Sequence, residues 1–128
     1  MDKTAKKKTK KKANTTLTAK SLKLLRDEGY MVCKVEYWNS FAFKRKDLFG
    51  IIDVLCMGNG KTFGVQVTSE SGISARVKKM LNAEWEGQPT LKTMLYLGWE
   101  IEIHGWHKVK NRWQVRRVNM REKFLEKV

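Results

Sequence analysis

The sequence has no apolar run approaching the ~20 residues that a membrane-crossing helix needs. Its charged N-terminus is not followed by the apolar core of a secretory signal. The expectation is a protein without a membrane partner that stays in the cytoplasm, the host's cytoplasm if a phage encodes it. Cysteine is scarce as well. Cys33 and Cys56 sit in apolar stretches and lack the close Cys or His neighbours of a zinc site. Both are expected to be buried free thiols in a reducing compartment. No phosphate-cradling P-loop occurs, and Gly58-Asn59-Gly60 reads as a hairpin turn. His104 and His107 fall three apart on a predicted strand end, where they do not share a face as a helical metal pair does.

Acidic residues are also few. Thirteen Asp and Glu stand against 27 Lys and Arg, leaving a net charge of +14. Six of those fourteen excess charges belong to residues 1–13, which hold seven lysines and one acid, Asp2. The other eight belong to the rest of the chain, so the body is basic without its arm. Such a field draws in polyanions, of which nucleic acid is the commonest. With 128 residues and 41% hydrophobic content, the chain is long enough for one core and too short for two ordinary ones. The expected organisation is a basic arm over 1–14 and a single domain over 15–128.

Asn14 is a good N-cap, and the spacing Leu17, Ser21, Leu24, Leu25 predicts a helix over about 15–28 that Gly29 can end. Tyr30 to Tyr37 reads as a strand, and residues 38–49 as a long connection containing Lys44, Arg45 and Lys46. Ile51–Met57 and Thr62–Thr68 are apolar runs joined around Asn59-Gly60, a dipeptide suited to a tight hairpin turn. Ile73, Val77, Met80 and Leu81 then recur at helical spacing, with Arg76 and Lys79 on a neighbouring face. A short helix over 90–97 closed by Gly98, a strand over Trp99–Trp106 and another over Trp113–Val118 complete the order.

One residue breaks the apolar pattern. Asp53 lies between Ile52 and Val54, where an ionised carboxylate is costly unless paired, hydrogen-bonded or bound to metal. Gln66 and Thr68, two apart on the next strand, point to one side together, and Asp53 and Gln66 can approach across the hairpin.

This order of elements, with Asp53 on the second strand and a polar-x-polar pair on the third, resembles the PD-(D/E)XK nuclease superfamily. RKDLFGIIDVLCMGNGKTFGVQVTS, then SARVKK and HGWHK, is similar to small phage and bacterial members of that group. The resemblance covers residues 15–118 and includes restriction enzymes, Holliday junction resolvases and VRR-NUC domains. It implies an α/β restriction-endonuclease-like αβββαβ core, a central mixed sheet flanked by helices, and hydrolysis of DNA phosphodiester bonds with Mg²⁺ or Mn²⁺. It also implies that Asp53 and Gln66 ligate the metal, with Gln66 standing where the family has an acid and Thr68 where it has a lysine. Glu36 or Asp47 then adds an acid ligand, and Lys79 or Arg76 supplies the missing positive charge. Lys44, Arg45, Lys46, Arg76, Lys78 and Lys79 are the expected nucleic-acid contacts. Blander roles stay open: Glu36 as an exposed strand residue, Asp47 as a turn cap, Gln66 as a partner for Asp53, and the helix cations as a solvated face. The alternatives to a DNA endonuclease or resolvase are an inactive nucleic-acid-binding protein that keeps the fold and a basic structural protein of a nucleoprotein particle. A homodimer is left open.

Overall fold

The computed structural model describes residues 16–41 and 43–127. The predicted arm over 1–14 and the proposed Asn14 cap lie outside them. Helix α1 (Leu17–Asp27) is capped instead by Thr16, whose Oγ1 accepts from Ala19 N at 3.1 Å. Its Ser21 and Leu25 are buried, with Leu17 and Leu24 packed against the same cluster, so the spaced stripe faces the sheet.

Five strands form the central sheet: β1 (Met31–Lys34), β4 (Val54–Gly58), β5 (Lys61–Ser69), β8 (Glu100–Val109) and β9 (Arg112–Asn119), in the order β1-β4-β5-β8-β9. β5 and β8 run parallel and the other neighbours antiparallel, which makes the sheet mixed. The β4–β5 turn has positive φ at Asn59 and Gly60, as an Asn-Gly hairpin requires. Between β5 and β8 the chain passes through a single 3-10 turn (Glu70–Gly72), α2 (Ile73–Asn82), a small hairpin of β6 (Glu84–Trp85) and β7 (Gln88–Pro89), and α3 (Thr90–Tyr96). That length is what a parallel connection needs.

The sheet is buried on both faces. Val54, Cys56, Phe63, Val65 and Val67 meet Leu25 of α1 on one side. Ile51, Ile52, Ile101 and Ile103 meet Ile73 and Met80 of α2 and Leu91 and Met94 of α3 on the other. Gly64 belongs to this second face because a Cβ there would collide with the Ile52 side chain at 2.6 Å. The protein is therefore α/β, with a mixed five-stranded sheet flanked by helices. Among the described residues no helix is long and apolar enough to cross a membrane.

Three expectations need correction, and one helix was not foreseen. The strand foreseen over Tyr30–Tyr37 is two: β1 stops at Lys34, Val35 N still donates to Asp53 O at 2.8 Å, and β2 then begins at Tyr37 in a separate ribbon. The supposed long connection is an antiparallel ribbon of β2 (Tyr37–Asn39) and β3 (Lys44–Lys46). A C-terminal helix, α4 (Met120–Lys127), follows β9, started by Asn119, whose Oδ1 accepts from Arg121 N and Glu122 N. Cys33 is exposed and only Cys56 is buried. β1 is an edge strand, so the alternation that turns Val32 toward α1 turns Cys33 outward. Burial pushes the Cys56 thiol up to about 12, which keeps it protonated and inert.

The α1 face also carries a polar network. Ser21 Oγ lies 2.8 Å from His104 Nδ1 and accepts from Trp106 Nε1 at 2.9 Å, while His104 Nε2 meets Glu102 at 3.2 Å. Arg117 bridges Glu102 and Glu28. Burial raises the Glu102 carboxyl, but the His104 hydrogen bond and Arg117 outweigh it and hold it below its ordinary range. With both Ser21 and His104 fully buried, this serine–histidine–glutamate chain ties helix to sheet rather than facing a substrate.

Candidate metal centre

Three carboxylates converge because two turn closures bring them together. The β2–β3 ribbon is closed by the pair Tyr37–Lys46, so Glu36 and Asp47, the residues just outside it, emerge side by side. The tight turn that follows is closed by a bridge between Leu48 and Ile52, with Gly50 N donating to Asp47 O at 2.9 Å and positive φ at Phe49 and Gly50. Asp47 and Asp53 flank that bridge. As a result, one ligand atom from each of Glu36, Asp47 and Asp53 falls within 4.8 Å of the others.

Asp53 is the most constrained of the three. Its N–H donates to Val65 O at 2.9 Å, its carbonyl accepts from Val35, and its Oδ2 accepts from Val67 N at 2.8 Å. Burial, reinforced by a hydrogen bond with Asp47 and by the charges of Asp47 and Glu36, raises its pKa to about 8 against the lowering effect of Val67 N–H. Burial thus makes an ionised Asp53 costly beside two other carboxylates, and either a proton or a cation relieves it.

The acids line a cavity of about 480 Å³ whose other walls are Thr18 of α1, Val67, and Arg76 and Lys79 of α2. Arg76 and Lys79, three apart on the helix, share the face that looks into it. Lys78 is exposed and lies outside that lining, as do Lys44 and Lys46, which stand on the adjoining ribbon. Arg45 stands opposite Trp38 in the ribbon's register.

Gln66 and Thr68 are placed elsewhere. Gln66 is fully buried; its Nε2 donates to Ile51 O at 2.7 Å and its Oε1 accepts from Arg76 Nη1 at 3.0 Å. It is a strut between the acid-bearing turn and the cationic helix, and it is not hydrogen-bonded to Asp53. Thr68 is buried beneath the 3-10 turn, where a Cβ at Gly72 would meet its Oγ1 at 2.4 Å. Neither residue lines the acid cavity. Thr18 and the Val67 backbone were missed in the sequence. Nothing marks Thr18 among the other polar residues of α1, and a backbone donor has no signature in residue type.

A second cavity, of about 420 Å³, lies on the far side of the Asp47–Gly50 turn between Phe49, Trp85 and Trp99. Glu86 is its one ionisable lining residue, so it lacks the means for acid–base or metal chemistry. Among the other tryptophans, Trp106 is core, and Trp113 carries Lys20 and Lys108 over its ring at 4.7 and 5.4 Å. No family model, curated protein or solved structure matches the chain.

Proposed function

We propose that the chain is a Mg²⁺- or Mn²⁺-dependent phosphodiesterase acting on DNA, built on the PD-(D/E)XK nuclease fold. The observation that carries this reading is the meeting of three carboxylates with two cations in one cavity of a strongly basic protein. Carboxylate oxygens are the ligands that hard divalent cations take, and a buried Asp53 carboxyl beside two further acids suits such an ion. When bound, the ion supplies charge stabilisation at the phosphoryl oxygens and activation of water.

The residues divide the remaining work. Glu36, Asp47 and Asp53 hold the cation, with Val67 N–H fixing one oxygen of Asp53. Arg76 and Lys79 neutralise the phosphate, and Lys79 takes the part of the family's signature lysine. Gln66 acts one step back as a positioning residue that aims Arg76. The order α1, antiparallel β1-β4-β5, α2, parallel β8 supports the nuclease-like core.

A second reading, an inactive DNA-binding protein on the same fold, is favoured by one observation. Both altered signature positions, Gln66 and Thr68, are built into the packing. Calorimetric titration of Mn²⁺ separates the two. The metal-centre reading expects binding by the parent chain and none by Asp53→Asn, whereas equal heats from both would remove Asp53 from any metal role.

A further inference from the structure

The ribbon that delivers Glu36 and Asp47 to the cavity carries an unusual surface. Phe41 is 96% and Phe43 77% exposed, and Tyr37 and Trp38 are each more than half exposed. Four open aromatics within seven residues of chain stay in water without gaining a core, so they call for an occupant. Residues 37–46 contain Lys44, Arg45 and Lys46 and no acid. Two copies of this ribbon would therefore repel each other, and a polyanion would be attracted. Aromatic faces beside cations are the means by which proteins hold unpaired nucleotides: bases stack on the rings while lysines follow the backbone.

We propose that the β2–β3 ribbon binds unpaired bases of the DNA strand that enters the acid cavity, so that the substrate is single-stranded, forked or branched rather than plain duplex. This rests on the phosphodiesterase reading only for what happens at the cavity. The two sites are joined by the chain itself. Tyr37 follows Glu36 and Lys46 precedes Asp47, so the ribbon starts at the acids. At ~3.3 Å per residue, Trp38 stands roughly 7 Å and Asn39 roughly 10 Å along the strand from Glu36, with Phe41 in the turn just beyond, a reach of a few nucleotides. Bases held there leave an adjacent phosphate near Arg76 and Lys79. The aromatic tip and the cleft then read one strand in succession.

The test is fluorescence anisotropy with the full chain in EDTA, so that no cleavage enters. The probes are one labelled oligonucleotide as a single strand, as a full duplex and as a fork. Trp38→Ala/Phe41→Ala/Phe43→Ala is expected to lower single-strand and fork affinity at least tenfold, to change duplex affinity less than twofold, and to leave the salt slope as it was. Lys44→Ala/Lys46→Ala should weaken all three and flatten the slope. Phe41→Ser alone, which removes a side chain that is almost entirely exposed, should lower single-strand affinity and leave the unfolding midpoint unchanged, which guards against misfolding of the triple variant.

Equal loss on single strand and duplex, or no loss on either, would overturn the proposal. So would sedimentation showing a parent dimer that the triple variant dissolves while still binding single strands normally. If the triple variant binds single strands as the parent does, yet the parent cuts with metal, the ribbon proposal fails alone. If the ribbon binds as stated and the parent never cuts, the phosphodiesterase reading fails alone.

Discussion

Gln66 joins the two halves of the cavity: its Oε1 accepts from Arg76 at 3.0 Å, and its Nε2 donates to the carbonyl of Ile51 at 2.7 Å, at the end of the turn that carries Asp47. A buried amide with both ends engaged sets the distance between cationic helix and acidic turn. Gln66→Ala should destabilise the fold by about 1–3 kcal/mol, because Ile51 O loses its donor and Arg76 its acceptor. Denaturant midpoints check this. Gln66→Leu at parental stability would show that the strut carries nothing.

Asp53 gives a pH dependence of definite sign. Its folded pKa of about 8 lies above the ordinary 3.8, so its contribution to stability is complete below about pH 4, where the folded and unfolded chains are both protonated. Stability then falls as pH rises toward 8, and the loss is complete above it. Asp53→Asn is uncharged throughout and removes that decline. Midpoints at pH 5, 7 and 9 should fall in the parent relative to the variant; parallel profiles would show that Asp53 is ionised in the fold at all three.

The same proton competes with a cation. Mn²⁺ affinity should climb with pH by up to about tenfold per unit and level off above about pH 8, since one proton leaves as the ion binds. An affinity flat between pH 6 and 8 would mean that the cation does not displace this proton.

The helix cations are distinguished by placement. Lys79 lines the cavity and Lys78 does not. Lys79→Ala should lower turnover at least tenfold, about 1.4 kcal/mol on the barrier, with little change in DNA affinity. Lys78→Ala should cut at the parental rate. If the two variants behave alike, or if Lys46→Ala alone slows cleavage, the positive charge comes from elsewhere.

The network behind the sheet predicts a structural effect only. Ser21→Ala leaves the Trp106 N–H and His104 Nδ1 without their shared partner and should destabilise by about 1–3 kcal/mol, with metal affinity unchanged. Altered Mn²⁺ binding in a folded Ser21→Ala protein would link this network to the cavity.

Asp53 was legible because a carboxylate between Ile52 and Val54 conflicts with its neighbours, and the Asn59-Gly60 hairpin and the two amphipathic helices were legible from local spacing. The convergence of Glu36 and Asp47 on Asp53 was not. It depends on two strand closures, Tyr37–Lys46 and Leu48–Ile52, whose three-residue strands and single bridge are too short to leave a period in the sequence. The same brevity hid the aromatic ribbon. Gln66 was singled out correctly as a polar residue on a buried strand, but its partners belong to other elements, and residue type alone did not choose between Asp53, Ile51 and Arg76. The Asn119 cap with Glu122 three residues on was readable and signals α4 in hindsight.

On the proposed reading, Glu36, Asp47 and Asp53 form a metal centre for cutting DNA. The direct measurement is incubation of the purified chain with linear duplex, branched and single-stranded DNA, with Mg²⁺, with Mn²⁺ and with EDTA, beside Asp53→Asn. The expected result is cleavage that requires a divalent ion, prefers substrates with unpaired bases and disappears in the variant. Cleavage that persists in Asp53→Asn, or parent protein that binds every substrate and cuts none with either ion, would contradict it.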